Sequence, residues 1–81
     1  MKIVWDEPKR LLNLANHGLD FAALTVDFFE AATIYDAKKS RFLAIGELRG
    51  QRIIAVIFRR LGSEAVSVIS MRPASRKERR L

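Results

Sequence analysis

Four arginines, Arg41, Arg59, Arg60 and Arg72, stand at or near the ends of extended runs of the chain. A guanidinium stays charged at any workable pH and can hold two phosphate oxygens at once, so such a set can bind RNA or stabilise a pentacovalent phosphorane. The one histidine, His17, follows Asn13 by four residues and precedes Gly18. At that spacing both share a helix face, where the amide could orient an imidazole able to take a 2'-hydroxyl proton or protonate a leaving 5'-oxygen. The plainer role for His17 is at a helix C-terminus, interacting with the last carbonyls and the dipole. A second set follows Arg72 and Pro73, where Arg76, Lys77, Arg79 and Arg80 surround Glu78. With Arg72 they give a net of four positive charges out of six for the chain, and such a concentration suggests a polyanionic partner. Among those neighbours Glu78 is expected to form a salt link more readily than to act as a base.

The remaining acids, among them Asp6, Glu7, Asp20 and Glu64, fall mostly at expected helix starts or turns and read as caps. Trp5 could stack on a base, but its place between a strand and a helix cap favours packing on that helix. Paired carboxylates of the glycosidase kind, a His/Cys metal cluster, a Gly-rich phosphate loop and a Ser nucleophile motif are all absent from the sequence, which excludes most enzyme classes.

Elements that could position these residues follow from periodicity. Ile3-Val4-Trp5 predicts a strand; Asp6 or Glu7 then caps a helix with Pro8 in its first turn, running to about Asn16 and closed by Gly18. Leu11, Leu12 and Ala15 form its expected apolar stripe. Asp20 offers a cap for a second helix with Phe21, Leu24 and Phe28 on one face, the two helices making a short antiparallel pair. Strands are expected at Thr33–Asp36, Arg41–Glu47, Arg52–Arg60 and Ala65–Met71, the last three joined as hairpins through Arg49-Gly50 and Leu61-Gly62-Ser63. Ile53 to Phe58 has no polar residue on either face and predicts a central strand covered on both sides by helices. Pro73 fits the first turn of a final basic helix.

A chain of 81 residues has room for one domain and one core. Its hydrophobic share of 49% is ample for a folded globule, and a pI near 10.5 favours nucleic acid, an anionic membrane surface or an acidic protein as partner. Without cysteine it has no disulfide or thiolate metal site, which fits a reducing compartment. No signal-like stretch is present, and Ile53 to Phe58 is too short to span a bilayer. A cytoplasmic protein with no membrane association is expected.

Trp5-Asp6-Glu7, Lys9, Asn13, His17-Gly18, Phe21, Arg41, Gly46 and the ending Ile69-Ser70-x-Arg72-x-Ala74-x-Arg76-Lys77-Glu78-Arg79 stand in the order and spacing of a known family. In these residues the chain resembles the BrnT toxins of type II toxin-antitoxin systems. The resemblance covers nearly the whole chain and implies an α+β, RelE-like ribonuclease fold over residues 1–81: a small, mostly antiparallel sheet with two N-terminal helices and a C-terminal helix. It further implies inhibition of translation through RNA cleavage. A cognate ribbon-helix-helix antitoxin is implied too, which neutralises the toxin and carries the DNA-binding element, so that operator DNA is met only through it. Asn16 and Ser67 stand where the family usually carries Lys and Arg, and the turn before Arg41 is shorter and less acidic than usual.

Residues and resemblance together lead to the expectation of a metal-independent endoribonuclease without a cofactor, in which a ribose 2'-oxygen attacks the adjacent phosphorus. Arg72 and Arg59 would hold the phosphate, and His17 or Glu78 would move the proton. Arg41, Arg60, Arg76, Lys77, Arg79 and Arg80 would contact RNA. The rival expectation is a catalytically weakened module that binds RNA, or binds the antitoxin as a co-repressor.

Overall fold

Asp6 ends the first strand and begins the first helix, and this strand-to-cap handover sets up the N-terminal half. In the computed structural model, which describes residues 1–50 and 52–81, β1 (Lys2–Trp5) leads into α1 (Glu7–His17), a 3-10 turn (Phe21–Ala23) and α2 (Val26–Ala31). Then come β2 (Thr33–Asp36), β3 (Phe42–Leu48), β4 (Arg52–Leu61), β5 (Ala65–Pro73) and a second 3-10 turn (Glu78–Arg80). The five strands lie in the order β1-β5-β4-β3-β2. From β2 to β5 the neighbours are antiparallel, those of β3, β4 and β5 as the hairpin spacings predict, but β1 runs parallel to β5, so the α+β sheet is mixed. A parallel partner requires a long crossover, here everything between Trp5 and Ala65.

The caps of α1 are local and lie as expected. The Asp6 carboxylate accepts the Lys9 N–H at 3.3 Å, and Gly18, at φ +67°, donates its N–H to the Leu14 carbonyl at 2.8 Å. The expected stripe of α1 is not its buried face, since Leu11, Leu12 and Ala15 are exposed whereas Asn13 is only 7% exposed. The reason lies in β5. β1 pairs with it only as far as Val68, leaving the edge groups of Met71 without a strand partner. The Asn13 side-chain oxygen accepts the Met71 N–H at 3.1 Å, and its amide nitrogen donates to the Met71 carbonyl at 2.8 Å and the Leu19 carbonyl at 3.0 Å. One amide thus completes the edge where β1 stops, satisfying groups that could not be left bare in the interior.

Asp20 caps only the first 3-10 turn, accepting from the Ala22 N–H at 2.9 Å; α2 starts later, capped by Thr25, whose hydroxyl accepts from the Phe28 N–H at 3.2 Å. Phe21, Leu24 and Phe28 are all buried, as their periodicity implies, but they come from three different pieces of backbone. Nor do the helices form the expected pair: α1 lies chiefly against β5 and α2 against β3. Ile54, Val56 and Phe58 of β4 meet Phe21, Leu24, Phe28 and Phe29 in the core, with Phe29 edge-on to Phe58 at 5.2 Å. Gly46 lets α2 approach β3, because a Cβ there would meet Ala32 Cβ at 3.1 Å and Phe28 Cε1 at 3.2 Å.

The other face of the sheet carries neither helix of the core, which corrects the expectation of cover on both sides of β4. Ala55 is fully buried there and Ile57 half-buried, while Ile53 remains 37% exposed. Which residues reach this open face depends on a β-bulge: Phe58 pairs with Val68 but Ile57 pairs with Ser70, so Ile69 is an extra residue in β5. As a result Val66, Val68 and Met71 all point into the core, and Ser67, Ser70 and Arg72 lie on the open face. The expected C-terminal helix is reduced to the single turn at Glu78–Arg80. Pro73 is the last residue of β5, opposite Ile54, and Ser75 begins the turn instead.

Candidate active site on the open sheet face

Arg72 is placed by the bulge and oriented by the segment that follows it. Its two terminal nitrogens meet the two Glu78 oxygens at 2.6 and 2.8 Å, a bidentate pair in which the Glu78 side chain is 14% exposed and that of Arg72 is 37% exposed. Glu78 is fixed in turn by a reciprocal cap: it accepts the Ser75 N–H at 2.8 Å and gives its own N–H to the Ser75 hydroxyl at 3.1 Å. The Arg72 hydrogen bonds, with the Ser75 N–H adding to them, hold the Glu78 carboxyl down at about 2, and the same pair pushes the Arg72 guanidinium up. The Ala74 N–H, donating to the Ile53 carbonyl at 3.0 Å, ties the segment back to β4. From there the turn faces Tyr35, Ile45 and Ile53 across a gap of about 160 Å³ lined also by Arg79 and Leu81.

The other expected site residues fall in different places. Arg59 is exposed on the open face opposite Ser67. Arg72 is opposite Ala55, four β4 residues away, which puts the two arginines roughly 13 Å apart along the strands. Arg41 directly precedes Phe42, whose partner is Phe58, and so comes level with Arg59; it is half-buried, and its Nε has no hydrogen-bond partner. Arg60 points to the opposite face, with its guanidinium 4.9 Å from the Phe42 ring centre, and is not brought together with Arg72. Arg76, Lys77, Arg79 and Arg80 are exposed around the Glu78 turn. His17 is exposed at the end of α1, in a groove that also includes Ser70, the neighbour of Arg72 on the open face. Asn13 does not orient it, because the Asn13 amide is committed to Met71 and Leu19.

Several motif residues prove structural. The Glu7 carboxylate accepts from Arg10 Nε at 2.7 Å, from Arg10 Nη2 at 2.8 Å and from Trp5 Nε1 at 3.0 Å, while Arg10 Nη1 reaches Asp20 at 3.1 Å. This network joins β1, α1 and the first 3-10 turn. Arg10 and then Trp5 bring the Glu7 carboxyl down to about 2; the Ala22 N–H and then Arg10 lower that of Asp20. Trp5 is half-buried against the core and hydrogen-bonded to α1, the packing role expected for it. Lys9, Asn16 and Ser70 were not singled out by sequence as site residues. Lys9 and Ser70 do belong to the motif that carries the family resemblance and Asn16 is one of its departures, but that Ser70 faces Lys9, Asn16 and His17 depends on the bulge. Among the described residues no group of three or more His, Cys, Asp or Glu stands close enough to hold a metal, and no helix is long and apolar enough to cross a membrane.

With this geometry in view, a family model described as the ribonuclease toxin, BrnT, of type II toxin-antitoxin systems matches residues 5–78. Among solved structures, the chain is similar to the crystal structure of the Brucella abortus ribonuclease toxin, BrnT, at 60% identity and a TM-score of 0.89, over 94% of this chain and 99% of that one. No curated protein matches.

Proposed function

This chain belongs to the BrnT family of type II toxin-antitoxin ribonuclease toxins, and on that premise we propose that its open sheet face cleaves RNA without a metal and thereby inhibits translation. The observation that carries the proposal is the bidentate capture of a carboxylate by Arg72 on the helix-free face. With one N–H of each terminal nitrogen holding Glu78, the guanidinium is fixed in place and its remaining N–H groups, that of Nε among them, are left to meet nonbridging phosphate oxygens.

In the proposed reaction the ribose 2'-oxygen bonds to the adjacent phosphorus and the bond from phosphorus to the 5'-oxygen breaks. The 2'-hydroxyl proton leaves to a base and the 5'-oxygen gains one, so the products carry a 2',3'-cyclic phosphate and a 5'-hydroxyl. Arg72 stabilises the charge on the phosphorane, and Arg59 and Arg41 meet the strand further along the face. His17, exposed beside Ser70, is the group for proton transfer. Glu78 is better assigned to orienting Arg72, because a carboxylate held near 2 is a poor proton acceptor at neutral pH. Arg76, Lys77, Arg79 and Arg80 contact the RNA backbone, and Arg60, on the helix side, contacts a segment that wraps the sheet edge. The proposed setting is a cytoplasmic, RelE-like toxin. A ribbon-helix-helix antitoxin neutralises it and carries the contact with operator DNA.

Purified protein incubated with RNA in EDTA should give fragments ending in 2',3'-cyclic phosphate. Arg72→Ala should fold normally and lose roughly a hundredfold to a thousandfold in rate, the scale of losing one transition-state donor. Full activity of that variant would remove Arg72 from the site. The binding-only alternative has one observation on its side, the filled fork of Arg72. It would be supported by RNA that is shifted but never cut, with affinity falling steeply as salt rises.

A further inference from the structure

The groove between α1 and β5 is built from one face of a helix and one bulge. Lys9, Leu12 and Asn16 follow one another at spacings of three and four and so share a face of α1, with His17 beside them at the helix end; Ile69 and Ser70 form the opposite wall. Asn13, between them, pins the helix to Met71 and has no hydrogen-bonding capacity to spare on its amide nitrogen. The space is about 310 Å³, at the small end of ligand-binding clefts. Its polar side chains are free: among the described residues, Lys9, Asn16, His17 and Ser70 make no side-chain hydrogen bond or ion pair. Leu12, 62% exposed, and the half-buried Ile69 offer apolar surface between them.

Resting on the ribonuclease reading above, we infer that this groove is the subsite for the base of a nucleotide flanking the scissile phosphate, and that Asn16 determines which base is preferred there. Position supports this, since Ser70 lines the groove and is also two strand positions, roughly 7 Å, from Arg72 on the same face. A strand whose phosphate sits on Arg72 therefore has its next base at the mouth of the groove. Chemistry supports it as well. RNA is read in single strands through unstacked bases, which need an apolar surface for the ring and an adaptable donor and acceptor for its edge. Leu12 and Ile69 supply the first, the Asn16 amide the second, and Lys9 a cation for the neighbouring phosphate.

The test uses the full chain and short RNAs in which the base on each side of the cleaved bond is varied through all four. With wild-type protein, one flanking position should show a preference in kcat/KM. Asn16→Ala should collapse it by roughly fivefold to a hundredfold, the worth of a lost base-edge pair, while cleavage of the least favoured base stays within about twofold. A parallel NMR titration uses dinucleotides with a 2'-deoxy first sugar, which cannot be cleaved; the Asn16 and Ser70 signals should shift on addition. An unchanged preference in Asn16→Ala, or a titration that leaves those signals in place, overturns the subsite without touching the cleavage reading. If wild-type protein cuts no RNA, the cleavage reading fails instead, and the titration alone decides the groove.

Discussion

Asn13→Ala would remove the side chain that completes the edge of β5, and its cost can be worked from the hydrogen bonds it leaves open. The Met71 N–H and carbonyl would both lose their partner next to a residue that is fully buried, where alanine brings no replacement. Leaving a buried group unsatisfied costs about 1–3 kcal/mol, so the pair is worth about 2–6 kcal/mol. At about 0.05–0.15 kcal/mol per residue, an 81-residue domain has about 4–12 kcal/mol in total. With about 4–8 °C per kcal/mol for a domain of this size, the melting temperature should fall by at least about 8 °C. Thermal and urea unfolding followed by circular dichroism would measure it. Asn13→Asp sharpens the test, because a carboxylate can still accept from the Met71 N–H but faces the Met71 and Leu19 carbonyls with no proton to give. Its folded pKa would be raised above the unfolded value of about 3.9, so the variant should approach wild-type stability as the pH falls toward that value and lose it as the pH rises through the folded pKa. An Asn13→Ala protein melting within about 2 °C of wild type would refute the reasoning, as would an Asn13→Asp protein whose stability relative to wild type ignores pH.

Gly46→Ala should cost about 1–3 kcal/mol by overpacking, since the new methyl group meets Ala32 and Phe28 at 3.1–3.2 Å; an unchanged urea midpoint would show that α2 can retreat freely. Glu78 has its folded carboxyl near 2, below the ordinary 4.5, so the stability from its pairing is present above 4.5 and is lost as the pH falls toward 2. The pair is partly solvated, which discounts the full shift to about 1–2 kcal/mol. Glu78→Gln should flatten that part of the acid unfolding curve, and an identical slope in the variant would count against the Arg72 lock.

The parts of the fold legible in sequence are those decided within a few residues. Asp6, Pro8 and Gly18 delimit α1, and the turns at Arg49-Gly50 and Gly62, with left-handed φ of 55°, 68° and 63°, give the β3–β4–β5 meander. The parallel pairing of β1 with β5 is set by contacts some sixty residues apart along the chain, and nothing in Ile3-Val4-Trp5 names its partner. The sequence offers the Asn13 amide to His17, four residues on, because the unpaired Met71 edge that takes it instead exists only after the sheet forms. At the candidate site, Glu78 was readable as a salt-linked acid, but its partner is Arg72, six residues back, and not one of its immediate neighbours. The Ser75-to-Glu78 cap is a local signature that places the turn after Pro73 and could have been used to do so. Alternation alone puts the adjacent Arg59 and Arg60 on opposite faces, but that Arg72 shares the face of Arg59 was not readable, since alternation gives the wrong face to a residue beyond an unseen bulge.

That bulge makes the outcome on β5 a question of parity. Counting from Val68, strict alternation would send Ser70 and Arg72 toward the helices and leave Met71 facing outward; the one residue inserted at Ile69 reverses all three. Replacing Ile69 with another residue keeps the count, whereas deleting it would drive a guanidinium into the core and expose a methionine in its place. Between Val68 and Ser70, then, the number of residues decides the face of everything that follows on β5, and a deletion there would change more of that face than a substitution of Ile69.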